Sequence, residues 1–224
     1  MIPKHLITTW ICDPSKDQYT EAHRELFARC LQSWLRLMPD YALTVVTLGN
    51  LFDHARDPWV EARLAEGNYI GASQWARLFW LQRFGGVYVD MDVEAVKRFD
   101  SLLDRAFVVG HMQKPKAWAN NAVMASVAGH PFLQTQLDYI RGCDPADKQF
   151  GNNTGPKMLT NLLKARGWTA HDAHATVDGL TVLPSPVFYP YTFTETFSPA
   201  CVRPETVAVH HWGKSWFARA GLVA

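Results

Sequence analysis

Two aspartates stand two residues apart in Asp90-Met91-Asp92, directly after the apolar run Val87-Tyr88-Val89. Carboxylates this close repel one another unless a cation lies between them. Hard oxygen ligands suit Mg²⁺ or Mn²⁺, and such an ion keeps coordination positions open for the phosphate oxygens of a substrate. The segment upstream supplies a fixed positive charge. Ser73 and Arg77 are four residues apart in a stretch of helical spacing and so share one face, while Trp75, Leu78, Phe79 and Trp80 pack inward around it. Gly85-Gly86 lets the chain reverse from that helix into the strand. A solvated turn with two surface aspartates is the plain alternative. The apolar strand and the glycine pair weigh against it, because open α/β sheets bind ligands at the carboxyl ends of their strands.

These groups need a scaffold, and the hydrophobic pattern describes one. Leu6 to Ile11 is an apolar, β-branched run that reads as a buried strand, broken by Asp13-Pro14-Ser15. From Tyr19 to Met38 apolar residues recur at helical spacing until Pro39 stops them. Leu43 to Leu48 is a second strand, ended by Gly49-Asn50. Strand, helix and strand at this size make a βαβ unit and imply a parallel sheet under helical cover. Further helices are expected over 58–65, 71–84, 131–140 and 156–165, and further strands over 87–89, 107–109 and 122–124. The stretch from Leu180 to Trp216, rich in proline and aromatics, reads as loops with one strand, Thr206 to His210.

Composition sets the outer bounds. The 224 residues carry 22 Lys+Arg against 21 Asp+Glu, a net charge of +1, which argues against a nucleic-acid binder held by bulk charge. A hydrophobic share of 48 % fits a single folded domain, 1–224. No run approaches the ~18 apolar residues of a spanning helix. The start, Met1-Ile2-Pro3-Lys4-His5, lacks the apolar core of a signal peptide, so a cytoplasmic protein, at most peripheral to a membrane, is expected. Cys12, Cys30, Cys143 and Cys201 form no CxxC pair and read as reduced, buried small hydrophobes. Nine Trp, seven Tyr and twelve Phe make the chain rich in rings, which either fill a core or line a site.

Gly85-Gly86-Val-Tyr-Val-Asp90-Met-Asp92-Val, with Arg77 eight residues before the first Gly, resembles the DxD block of glycosyltransferase family 32. Ile2-Pro3-Lys4 with Trp10 resembles that family's opening strand. Asn121 to Ser126 followed by Gly129-His130-Pro131-Phe132, then Thr154-Gly155-Pro156 with Met158-Leu159, resemble its middle blocks. Val209-His210-His211-Trp212 with Ser215-Trp216 resembles its C-terminal block. The blocks occur in order over nearly the whole chain. The resemblance implies a GT-A (Rossmann-like) fold, an α/β domain with a central mixed, mostly parallel sheet, its donor-binding part in about 1–110 and its acceptor part in about 111–224. It also implies Mn²⁺ or Mg²⁺, a UDP- or GDP-sugar donor, retention of anomeric configuration, and a glycan, protein or small-molecule acceptor in bacterial surface-glycan synthesis. A nucleic-acid acceptor has no support from charge.

Carried over residue by residue, Asp90, Asp92 and His210 resemble the metal ligands, and Asp90, Asp92, Arg77 and Asn121 the catalytic set. Trp10, Ser73, Gln74, Arg77, Asp90, Lys214, Ser215 and Trp216 resemble the donor contacts, with Trp10 placed to stack on the base. His211, next to His210 on a strand, points the other way. Two departures stand out: Ser73-Gln74 where the family has Ser-Asp, and Ile7-Thr8 where it has His-Gln. No carboxylate has the context of a nucleophile, so attack from the face the phosphate leaves is the expected route to retention. The alternatives are a haloacid-dehalogenase-like phosphatase using Asp90, which lacks the later acid pair that fold needs, and a non-catalytic nucleotide-sugar-binding module. Among the remaining candidates, His111 and His130 read as structural, His171 and His174 as a solvated loop, Lys114-Pro115-Lys116 as a solvated basic loop, and Phe188 to Phe193 equally as acceptor platform or core plug.

Overall fold

The computed structural model describes residues 1–15, 19–112, 117–144, 146, 147 and 150–213. The expected donor contacts Lys214, Ser215 and Trp216 and the Lys114-Pro115-Lys116 loop lie outside the described residues.

The chain opens with strand β1 (His5–Trp10), helix α1 (Glu21–Leu37) and strand β2 (Ala42–Thr47). Helices α2 (Pro58–Ala65) and α3 (Tyr69–Phe84) lead into strands β3 (Gly86–Val89) and β4 (Val93–Ala95). Strands β5 (Phe107–Met112) and β6 (Trp118–Ser126) follow, then helices α4 (Pro131–Arg141), α5 (Phe150–Asn153) and α6 (Pro156–Lys164). Strands β7 (Ala175–Val177), β8 (Leu180–Leu183) and β9 (Ala208–His210) complete the set. Seven strands form one sheet in the order β2-β1-β3-β6-β5-β8-β7, and β4 pairs with β9 in a second, two-stranded sheet.

The predicted βαβ unit is present: β1 runs parallel to β2 and, on its other side, to β3. The main sheet is mixed, but parallel pairs do not dominate it as expected. Three pairings are parallel and three antiparallel. The stretch after Leu180 holds β8 as well as β9, so it is not loops with a single strand.

Local chemistry accounts for the helix ends. Thr20 caps α1 in a reciprocal pair with His23. Asp57 caps α2 ahead of Pro58. Asn68 caps α3, which therefore starts two residues before the expected Gly71. Gly86 takes φ +124°, and a Cβ there would lie 2.4 Å from the His5 carbonyl oxygen, so the β1–β3 crossing requires glycine at this point.

Side chains alternate between two cores, one on each sheet face. Ile7 and Tyr88 join Trp75, Leu78, Met124, Phe132 and Leu159 under α2, α3, α4 and α6. Leu6, Val87 and Val89 join Trp34, Val108, Val123 and Phe188 under α1. Trp34, Trp75 and Trp80 are buried, which accounts for part of the tryptophan excess as packing. Of the cysteines only Cys30 is buried; Cys12, Cys143 and Cys201 are half-exposed, so the expectation of four buried thiols holds for one.

Helix α3 is buried nearly all round, including Gln74 and Arg77. That enclosure makes its polar residues part of the site rather than of a solvated face. Helix α1 clamps β4: the Trp34 indole donates to the Val93 carbonyl at 2.7 Å, and the Ala95 amide donates to Ser33 Oγ at 2.9 Å. Pairing of β4 with β9 then sets Val93 opposite His210. This small sheet is what carries the C-terminal histidine to the aspartates.

Candidate active site

Strand β3 ends at Val89, and the next residues carry the two carboxylates into the cleft. The Asp90 amide donates to the Ala122 carbonyl at 2.8 Å, extending the β3–β6 pairing by one residue. Asp90 Oδ1 accepts from the Tyr88 hydroxyl at 2.6 Å and faces Arg77 Nη2 at 3.2 Å. The hydroxyls continue the chain: Tyr88 meets Thr9 Oγ1 at 3.0 Å, and Thr9 meets Ser73 Oγ at 2.9 Å. Arg77 is buried, lies 4.6 Å over the Tyr88 ring, and donates from Nη1 to the Asn121 carbonyl at 2.9 Å. Asn121 Nδ2 donates to Gln74 Oε1 at 3.0 Å.

Asp92 is held from the other side. Its Oδ2 accepts the Gly213 amide at 2.7 Å, and its Oδ1 faces His210 Nε2 at 3.3 Å. The His211 amide donates to the Asp92 carbonyl at 2.9 Å. The His211 ring turns away, as strand alternation predicts, and binds Glu94 Oε2 at 2.7 Å. Between His211 and Gly213, Trp212 sits at φ +53°, a conformation that costs a non-glycine residue of order 1 kcal/mol. That turn packs the Trp212 ring 4.2 Å from His210 and aims the next amide at Asp92.

The two carboxylates differ. Burial pushes Asp90 above the usual carboxylate range, Asp92 adds repulsion, and Arg77 only partly offsets them. Burial would also raise Asp92, but His210 and the Gly213 amide hold it down, at about 2. Burial would lower His210, and the attraction of Asp92 outweighs it, so its pKa is raised.

One ligand atom from each of Asp90, Asp92 and His210 lies within 4.8 Å of the others. His210 Nδ1 is buried and has no partner among the described residues. Two carboxylates and an imidazole, converging from three positions with a buried imidazole nitrogen left unpartnered, fit a hard or borderline divalent cation.

The geometry thus gathers Asp90, Asp92, His210, Arg77, Gln74 and Asn121, and reaches Ser73 through Thr9 and Tyr88. Trp10 is half-buried at the end of β1, its ring 4.8 Å from Tyr19 and 5.6 Å from Phe27. Tyr88 and Thr9 were missed in the sequence, although strand alternation alone puts Tyr88 and Asp90 on one face. His130 caps α4, and His111 is buried against Asp172 at 2.9 Å, both structural as expected. His171 and His174 are exposed, as expected of a solvated loop. The aromatic stretch divides: Phe188, Tyr189 and Tyr191 are buried, while Phe193 is half-exposed.

Residues 24–108 match a family model described as glycosyltransferase sugar-binding region containing DXD motif. The chain is 27 % identical over 172 residues to the mannosyl phosphorylinositol ceramide synthase SUR1 of Saccharomyces cerevisiae, covering 73 % of this chain and 42 % of that one. It is 30 % identical over 135 residues to inositol phosphoceramide mannosyltransferase 3 of Schizosaccharomyces pombe, covering 59 % of this chain and 35 % of that one. The chain spans less than half the length of these relatives, and both come from yeasts, so a bacterial setting gains no support from them. The solved PaToxG glycosyltransferase superposes with a TM-score of 0.52 at 18 % identity, over 73 % of this chain and 68 % of that one. This likeness speaks to the fold, and the family match sets the phosphatase alternative aside. Residues 24–108 thus match a glycosyltransferase sugar-binding region of the DXD type, and they lie within a GT-A-like α/β fold.

Proposed function

We propose that this chain transfers a hexose, mannose first among the candidates, from a nucleotide-diphosphate sugar to an acceptor hydroxyl with retention. The carrying observation is the Asp90–Asp92–His210 cluster beside the buried Arg77. Mannose is put first because both yeast relatives are named for mannosyl transfer. Asp90, Asp92 and His210 would hold Mn²⁺ or Mg²⁺. Such an ion neutralises charge on a diphosphate leaving group.

The chain's own groups supply the rest. Arg77 is a buried guanidinium fixed by Asp90 and the Asn121 carbonyl, so little reorganisation is needed when negative charge develops nearby. The Gln74–Asn121 amide pair offers neutral hydrogen-bonding groups to the sugar hydroxyls, in place of the acidic residue usual for the family. The Asp90 carboxylate is engaged by the Tyr88 hydroxyl and the Arg77 guanidinium, which leaves it poorly placed to act as a nucleophile. Attack of the acceptor from the leaving-group face, with the phosphate taking the acceptor proton, is the route consistent with this.

The test is a screen of UDP- and GDP-sugars for nucleotide release with Mn²⁺ and with EDTA. Metal-dependent release from at least one donor, abolished in Asp92→Asn, is the expected outcome. Release from none, or release indifferent to both EDTA and Asp92→Asn, sinks the reading and leaves a binding module.

A further inference from the structure

The three residues after His210 are fastened from outside the cleft. His23, in the first turn of α1, brings its Nε2 to the Gly213 carbonyl oxygen at 2.6 Å. Glu94, on β4, brings its Oε2 to His211 Nε2 at 2.7 Å. We propose that His23 and Glu94 are positioning residues: they fasten the turn from His211 to Gly213 and so hold His210 and the Gly213 amide against Asp92. The proposal rests on the reading of Asp90, Asp92 and His210 as cation ligands, and its test separates the two.

Three observations carry it. First, the small sheet alone is a weak mount. Strands β4 and β9 have three residues each and pair apart from the main sheet. A two-stranded ladder of that length is marginal by itself. A metal-binding histidine is ordinarily oriented through its second ring nitrogen, but His210 Nδ1 has no partner among the described residues. Its orientation therefore falls to the backbone around it. The His210 amide donates to the Phe188 carbonyl at 3.0 Å, and the His211 amide to the Asp92 carbonyl at 2.9 Å. Second, the turn holds a conformation that needs fastening. Trp212 sits at φ +53°, and strain of this kind persists only where surrounding contacts enforce it. The reward is contact: the Gly213 amide meets Asp92 Oδ2 at 2.7 Å, and a Cβ built on Gly213 would lie only 3.1 Å from that oxygen.

Third, both fasteners have defined donors and acceptors. The Thr20 amide can only donate, so His23 Nδ1 accepts from it at 3.2 Å, and Nε2 carries the hydrogen given to the Gly213 carbonyl. His23 thus serves twice, completing the cap of α1 and tying that helix to the turn. On the other side, His211 Nε2 donates to Glu94, and His211 Nδ1 accepts from the Tyr191 hydroxyl at 3.3 Å. Glu94 in turn lies 3.5 Å from Arg29. Both fasteners therefore refer the turn to α1, the helix that also clamps β4 through Trp34 and Ser33.

The experiment compares two pairs of variants of the full chain. His23→Glu and His23→Gln both keep a residue that completes a capping box, but only His23→Gln keeps a donor for the Gly213 carbonyl. The added carboxylate of His23→Glu would by itself attract a cation, so weaker cation binding there runs against its charge. Glu94→Ala and Glu94→Gln remove the same charge, but only Glu94→Gln leaves an acceptor for His211. The readouts are Mn²⁺ affinity by calorimetry and the His210 ring-proton signals of the metal-free protein by NMR. His23→Glu and Glu94→Ala should each weaken Mn²⁺ binding at least tenfold and move the His210 signals. His23→Gln and Glu94→Gln should stay within threefold of the wild type with the signals in place. If one of the disruptive variants loses its cooperative melt, the other pair decides. Unchanged affinity and unmoved signals in His23→Glu and Glu94→Ala overturn the proposal, and so does an equal loss in the two Gln variants. Ring signals that follow the expected pattern in a protein whose wild type takes up no Mn²⁺ uphold the positioning role and sink the cation reading separately.

Discussion

Replacing Asp92 by Asn tests the site through stability, with no substrate required. The native carboxyl group titrates at about 2 instead of its ordinary 3.8. That difference of a little under two units corresponds to about 2 kcal/mol between the charged and neutral forms. A depressed carboxylate contributes stability above its unfolded-state value, and the contribution fades as pH falls through the folded one. Asp92→Asn should therefore cost up to about 2 kcal/mol at pH 7, or roughly 4–8 °C in melting temperature for a chain of this size. The deficit should narrow below about pH 4. His210 shares the same interaction, so its raised pKa is not a separate contribution. Mn²⁺ at a hundred times its dissociation constant should add about 2.7 kcal/mol to the wild type, a rise of roughly 5–11 °C. The variant should show little of that rise. The assay is thermal unfolding from pH 4 to 8 with and without Mn²⁺. A variant that melts with the wild type at pH 7 and gains as much from Mn²⁺ would refute both the pairing and the ligand assignment.

Three further outcomes are expected. Tyr88→Phe removes the hydroxyl that joins Asp90 to Thr9, and should lower metal-dependent nucleotide release about tenfold, the equivalent of one lost hydrogen bond to a charged group; unchanged turnover counts against the hydroxyl chain. Gly86→Ala forces a Cβ to within 2.4 Å of the His5 carbonyl oxygen at φ +124°, and soluble yield and the cooperative melt should both collapse. Asp57→Asn should destabilise by about 1–3 kcal/mol in urea unfolding at pH 7, because Asp57 caps α2, binds the Trp75 indole at 3.0 Å and pairs with Arg141 at 2.6 Å. Burial raises the Asp57 pKa but those partners leave it lowered overall, so this loss should shrink as pH falls through the carboxylate range, with donor hydrolysis unchanged throughout.

The parts legible in the sequence were those with a period or a cap. Helix α1 announced itself by 3.6-residue spacing, and α4 and α6 by proline in the first turn, while α2 showed only as a mixed stretch. The aspartates, Arg77 and His210 came from short blocks whose residue types restrict their chemistry. The missed elements are short: β4 and β7 have three residues each and β8 four, too few to show alternation. Yet β4 is the partner that brings His210 to Asp92, so the reason these residues meet was invisible where the residues themselves were not. The Phe188–Phe193 stretch was undecidable from composition, because burial there changes residue by residue against Gly110 and β9. The aromatic excess resolves the same way, with Trp34, Trp75 and Trp80 in the core and Trp212 at the site.

Charge in the cleft explains why a protein of net +1 can be suited to a diphosphate. With both carboxylates ionised, as a bound cation requires, Asp90, Asp92 and Arg77 together carry one net negative charge, and a protonated His210 brings the sum only to zero. Alone, the cluster offers a diphosphate no attraction. A divalent cation on Asp90, Asp92 and His210 would reverse the sign beside the fixed Arg77 guanidinium. Cation and donor should therefore bind with positive coupling, and by reciprocity each tightens the other by the same factor.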